Sequence, residues 1–84
     1  MIIIYEAKVK INSFEEFKDL FTKIDKLMSQ VDAEVGRQSC DAKSVMGFID
    51  ICMRCEPVTL RCNEICDKEL DIFKEIVSKY EVAE

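Results

Sequence analysis

The spacing of hydrophobic positions changes several times along the chain, and each change marks the border of a predicted element. The N-terminal stretch "IIIYEAKVKI" is apolar and β-branched at its start and then alternates with lysines, which predicts a strand. The same alternation predicts strands in "VDAEV" and "QSCDA", joined by a turn at Gly36 and Arg37, and in "PVTLRC", where the proline marks the strand start. The positions expected to face the core are Ala7, Val9, Ile11, Val31, Ala33, Val35, Cys40, Val58, Leu60 and Cys62.

Helical spacing of apolar residues predicts two long amphipathic helices and one short helix. The first helix covers about residues 13 to 29 and begins with the capping box "SFEE", in which Ser13 caps and Glu16 reaches back. The short helix opens at Ser44 and ends near Cys52. The apolar positions of the three helices are Phe14, Phe17, Leu20, Phe21, Ile24, Leu27 and Met28 in the first, Val45, Phe48 and Ile49 in the second, and Leu70, Ile72, Phe73, Ile76, Val77 and Tyr80 in the third.

The predicted elements follow one another in the order β-α-β-β-α-β-α, and the last helix is capped by Asp67 or by Asn63. Because each long helix has one apolar stripe, we expect the three helices to lie on one face of a four-stranded antiparallel sheet. The other face of the sheet is then exposed to solvent. The predicted fold class is therefore α+β, in a single domain that covers residues 1–84.

The charge balance excludes some classes of partner. Seventeen acidic residues against twelve basic ones give a net charge of −5, which argues against binding to nucleic acids or to anionic membranes. The apolar runs are far too short for a membrane span or a secretory signal. We therefore expect a cytoplasmic protein.

The chemistry available to the chain is limited by the absence of histidine, the commonest general base. Five cysteines cannot all pair within one molecule, and reduced thiols are expected without a secretory signal. A zinc site is not expected, because a strand would hold the two cysteine pairs roughly 15 Å apart. Neither a metal nor another cofactor is predicted. The five thiols are Cys40, Cys52, Cys55, Cys62 and Cys66.

A thiol redox function for Cys52 and Cys55 is the alternative that the sequence leaves open. Arg54 beside Cys55 favours a thiolate, whereas the position of the pair after a helix end disfavours one. Cys40 and Cys62 are most simply small hydrophobic residues of the core.

The element order, together with the run "KSVMG" at residues 43 to 47, resembles the HPr phosphocarrier family of the bacterial sugar phosphotransferase system. The resemblance covers nearly the whole chain and implies an HPr-like open-faced β-sandwich. Ser44 matches the serine that a regulatory kinase phosphorylates in many Gram-positive members. Family members meet their partners on a surface that corresponds to Lys43, Met46, Gly47 and Phe48. From the residues alone, Phe48 has core packing as its alternative role, and Met46 has simple exposure to solvent.

The resemblance breaks at the site that carries the phosphoryl group in this family. Counted from Ser44, the phosphoacceptor histidine falls on Ser13, the family's arginine on Glu15 and its proline on Glu16. Two carboxylates in the first turn of a helix repel a phosphate that the helix N-terminus would otherwise attract. No base is present to activate Ser13, whose role as an N-cap is worth about 1 kcal/mol. Phosphohistidine chemistry is therefore not expected.

The resemblance and its break together imply a regulatory or protein-binding module that is not an enzyme. Its transient partner would be a protein related to the phosphotransferase system, the serine kinase or a regulator. Ser44 can cap its helix and also accept a phosphate, which adds about two negative charges at a helix N-terminus. A third hypothesis is that the fold serves an unrelated protein contact and Ser44 only caps the helix. The sequence does not predict an oligomeric state.

Overall fold

Strands and helices alternate in the order that the hydrophobic spacing predicts. The computed structural model describes residues 3–54 and 56–82. Its strands are β1 (Ile3–Val9), β2 (Asp32–Val35), β3 (Gln38–Asp41) and β4 (Val58–Ile65). Its helices are α1 (Phe14–Asp25), α2 (Val45–Cys52) and α3 (Asp67–Ser78).

The four strands form one antiparallel sheet in the spatial order β1-β4-β2-β3. The hairpin between β2 and β3 turns at Gly36 and Arg37, and Gly36 has a φ of 58°, a conformation that glycine adopts without strain. The chain after α3 returns to β1, where the Val82 amide donates to the Lys8 carbonyl at 2.9 Å. The predicted α+β fold, with three helices on an open antiparallel sheet, is confirmed.

The core lies between the sheet and the helices. Nine of the ten predicted inward strand positions are buried, and Cys40 is half-buried. From the helices, Phe17, Phe48 and Phe73 are the largest fully buried side chains. The ring centroid of Phe17 lies 5.3 Å from that of Phe48, so α1 and α2 share this part of the core.

The first helix is shorter than predicted. It ends at Asp25, and the Lys26 and Leu27 amides then donate to the carbonyls three residues earlier. Met28 lies beyond this tightened turn and no longer follows the helical spacing, which leaves its side chain 91% exposed. Phe14 and Val45 are the first residues of their helices, and they are exposed rather than buried.

The N-cap of α3 also differs from the prediction. The residue at this position is Cys66, and its side chain makes no capping hydrogen bond. Because β4 continues to Ile65, Asn63 belongs to the strand, where it donates to Asp32 at 3.3 Å. Asp67 is instead the first residue of the helix. No helix in the described part of the chain is long and apolar enough to cross a membrane.

Candidate docking and phosphorylation site

Ser44 is held at the N-terminus of α2 by its backbone. Its amide donates to the Asp41 carbonyl at 2.9 Å, and the Lys43 amide donates to the Asp41 carboxylate at 2.8 Å. The Ser44 carbonyl accepts the Phe48 amide at 2.9 Å, which starts the helix. Ser44 is therefore the N-cap residue, as the sequence predicts.

The expected capping hydrogen bond from the Ser44 side chain is absent. Asp41 fixes the backbone here, and Ser44 has φ −93° and ψ 106°, unlike the capping Ser13 with φ −151° and ψ 162°. The Ser44 side chain is exposed. The first turn of α2 contains no acidic residue, whereas the first turns of α1 and α3 do. The hydroxyl is thus accessible at a helix start without a competing carboxylate in that turn.

Large apolar side chains are exposed beside Ser44 at the start of α2, and also where the end of α2 meets the start of α1. Met46 is 76% exposed, and Phe14, Val45 and Met53 are about half exposed. Phe14 and Met53 line one cleft of about 250 Å³ between the start of α1 and the end of α2. We call the surface formed by Phe14, Val45, Met46 and Met53 the α1/α2 face.

Two residues of the predicted partner surface serve the core instead. Phe48 is 0% exposed and its ring packs against Phe17 of α1, so its assignment to the surface is wrong. A Cβ atom on Gly47 would lie 3.2 Å from the Cβ atom of Cys40. Glycine therefore suits the close approach of α2 to β3, where a larger residue would make the Cys40 side chain move by a few tenths of an ångström.

Lys43 is half-buried, and its ammonium group donates to the carbonyl of Leu27. Its side chain therefore connects the start of α2 with the loop that follows α1. Of the four residues predicted for the partner surface, Met46 is the one whose side chain is mostly exposed.

Ser13 is committed to the capping box that the sequence predicts. Its hydroxyl accepts the Glu16 amide at 3.2 Å, and the Glu16 carboxylate accepts the Asn12 amide at 2.8 Å. The reach-back bond therefore goes to the residue before the N-cap. Glu15 and Glu16 both lie in the first turn, so negative charge already occupies the helix N-terminus.

The two serines allow a matched test of capping. Replacing Ser13 with alanine is expected to lower the free energy of unfolding by about 1 kcal/mol, because it removes a capping bond. Replacing Ser44 with alanine is expected to change that free energy by less than about 0.5 kcal/mol. Denaturant unfolding of both variants measures the difference. Equal losses of unfolding free energy in the two variants would show that the Ser44 hydroxyl does make a capping hydrogen bond.

The buried thiols are poorly suited to redox chemistry. Burial, and to a lesser extent the neighbouring Cys40, raises the pKa of Cys52 to about 12, and its side chain is 2% exposed. Burial also raises the pKa of Cys62 to about 11, with smaller contributions from two nearby carboxylates. A thiolate is disfavoured at both positions. Cys55, the second residue of the candidate redox pair, lies outside the described residues.

Among the residues that the structure describes, no group of three or more acidic or cysteine side chains is placed to hold a metal ion. No protein-family model, curated protein or solved structure matches the chain.

Sequence reasoning missed part of the α1/α2 face. Phe14 was expected within the apolar stripe of α1, and Val45 was expected on the buried side of α2. Their positions directly after the two N-caps could have indicated exposure, because the first residue of a helix lies at the margin of the contact that the helix makes. No signal in the sequence marks Met53.

Proposed function

We propose that this protein is a regulatory docking module related to the HPr family, which meets a protein partner through the α1/α2 face and is phosphorylated at Ser44. One observation carries the proposal. An exposed serine hydroxyl without a capping bond lies at a helix start, two residues from a methionine that is 76% exposed. A kinase that bound this face would find the hydroxyl within the surface it covers.

The local charges favour a phosphate on Ser44. A kinase would transfer the γ-phosphoryl group of ATP to the Ser44 oxygen, so that the bond to ADP breaks and the hydroxyl proton is released. The product has about two negative charges at a helix N-terminus, where the helix dipole stabilises them. Lys43 supplies a nearby cation. The Asp41 carboxylate opposes the new charge, but it already accepts the Lys43 amide.

The exposed apolar groups suit a transient protein contact. Methionine side chains are flexible and polarisable, so Met46 and Met53 can adapt to the shape of a partner. Phe14 adds an aromatic group of the kind that is enriched at interfaces. The core does not need these three side chains for burial, since they are about half exposed or more.

A carrier role is not part of the proposal. The Ser13 hydroxyl is used as a cap, and the two carboxylates of the first turn repel a phosphate at the N-terminus of α1, where family carriers hold one. The protein is therefore expected to receive regulatory phosphate without passing phosphate to a sugar transporter.

Intact mass tests this proposal in two parallel incubations. One contains phosphoenolpyruvate and enzyme I of the phosphotransferase system, and the other contains ATP and the serine kinase that phosphorylates HPr. We expect one added phosphate in the kinase incubation alone, and none in Ser44→Ala. The Ser13→Ala variant is expected to gain the same phosphate as the unaltered protein. Phosphate from enzyme I, or none from the kinase, would contradict the proposal.

A charged substitution on the α1/α2 face tests, in the same assay, whether the kinase docks on this face. Met46→Lys is expected to lower the rate of phosphorylation about tenfold or more, because a charge is desolvated at the contact. Ile4→Lys is the matched control, since Ile4 is 70% exposed on β1, outside the α1/α2 face. Equal rates in the two variants would show that the α1/α2 face is not the docking surface.

A further inference from the structure

One peptide group in the loop after α1 is held from both of its polar ends. The carbonyl oxygen of Leu27 accepts a hydrogen bond from the ammonium group of Lys43, just before α2. The amide of the same peptide group belongs to Met28, and it donates to the carboxylate of Glu69 at 2.7 Å. The Lys43 ammonium group, from the start of α2, and the Glu69 carboxylate, from α3, therefore bind opposite ends of the same peptide group.

Glu69 also holds the next residue of the loop. Its carboxylate accepts the Ser29 amide at 2.8 Å and the Ser29 hydroxyl at 2.5 Å. The Ser29 hydroxyl, the Met28 amide and the charge of Lys43 all contribute to lowering the pKa of Glu69. Since Glu69 lies in the first turn of α3, the loop connects the N-termini of α2 and α3.

The two charged contacts strengthen each other. A cation on a carbonyl oxygen polarises the peptide group and makes its N–H a better donor, and a carboxylate on the N–H makes the oxygen a better acceptor. Loss of either contact should therefore weaken the other. The loop is thus a physical connection whose two ends respond together.

We propose that the Leu27–Met28 peptide group relays a charge change at Ser44 to α3. This inference rests on the proposed function of Ser44 as a phosphorylation site. A phosphate dianion one residue from Lys43 is a stronger partner for the ammonium group than a neutral carbonyl, because two opposite full charges attract each other in addition to sharing a hydrogen bond. Lys43 turns to the phosphate, the Leu27 carbonyl is released, and Glu69 then holds the Met28 amide less tightly.

Amide exchange measured by NMR at Met28 and Ser29 tests the relay. Phosphoserine can be placed at position 44 by chemical ligation of synthetic segments at Cys40, so the test does not need a kinase. We expect these amides to exchange about fivefold faster in the phosphorylated protein, the effect of losing about one hydrogen bond. Lys43→Met alone should accelerate them to the same extent. Lys26→Met, an exposed lysine at the end of α1, is the control and should change neither rate.

The decisive protein combines phosphoserine at position 44 with Lys43→Met. If the charge change passes through Lys43, the phosphate adds no further acceleration in this background. Unchanged exchange after phosphorylation, or the same acceleration with and without Lys43, would overturn the relay. Because the phosphate is installed chemically, such a result leaves the kinase assay to decide the proposed function. Conversely, a kinase that does not phosphorylate Ser44 would contradict the proposed function, but it would leave the result of the amide-exchange experiment unchanged.

Discussion

Replacing Phe48 with alanine is expected to lower the free energy of unfolding by about 3–5 kcal/mol, the range for truncating a buried aromatic residue. The Phe48 side chain is 0% exposed. Its ring centroid lies 5.3 Å from Phe17 and 6.4 Å from Phe21, so truncation removes contacts with both rings and leaves a cavity between α1 and α2. Denaturant unfolding measures the loss directly.

Met46 is the matched control for Phe48, because it lies two residues away on the same helix and is 76% exposed. Met46→Ala is expected to change the free energy of unfolding by less than about 0.5 kcal/mol. The two variants together separate the buried side of α2 from the side that is proposed to dock. A small loss of unfolding free energy in Phe48→Ala would show that the Phe48 side chain is not buried in the core.

Replacing Glu69 with alanine is expected to lower the free energy of unfolding by about 2 kcal/mol near neutral pH, because three hydrogen bonds to a charged, partly exposed carboxylate are lost. The effect depends on pH. Hydrogen bonds from Ser29 and Met28, together with the charge of Lys43, lower the pKa of Glu69 from its ordinary value of 4.5. A lowered carboxyl pKa stabilises the fold above the unfolded-state pKa, and this stabilisation is lost as the pH falls through the folded-state pKa.

Unfolding of both proteins at neutral and at acidic pH tests the role of the charge. The difference in stability between the unaltered protein and Glu69→Ala should be largest at neutral pH and should shrink as the pH falls below about 4.5. Asp19, whose pKa is also lowered, is present in both proteins, so its contribution cancels. Glu75→Ala on the same helix is the control, with an expected change below about 0.5 kcal/mol. A difference that is independent of pH would assign the loss to packing instead of to the carboxylate.

The strands and the core were predictable because they depend on local spacing. Alternation placed residues such as Val31, Ala33 and Leu60 inward, and all three are buried. The capping box at Ser13 was equally local, since a serine and a glutamate three residues apart can satisfy the amides around a helix start without help from the rest of the chain.

The candidate site was predicted only in part. The motif at residues 43 to 47 marked Ser44 and Met46, and the first is exposed at a helix start and the second is exposed beside it. The spacing of apolar residues did not show that Phe48 is buried while Met46 is exposed. Helical periodicity gives the angle between two side chains, and only the packing of α2 against α1 and β3 decides which of them points inward.

By itself, the sequence determined the element order, the inward strand positions and the absence of a histidine for phosphoryl transfer, because each is a property of residue type and spacing. Only the tertiary structure decided that α1 stops at Asp25, that Gly47 approaches Cys40 closely, and that Lys43 and Glu69 share one peptide group. The contacts of Gly47, Lys43 and Glu69 join residues 7 to 41 positions apart in the chain. A local sequence pattern does not predict contacts between residues so far apart in the chain, because these contacts form only when the helices pack on the sheet.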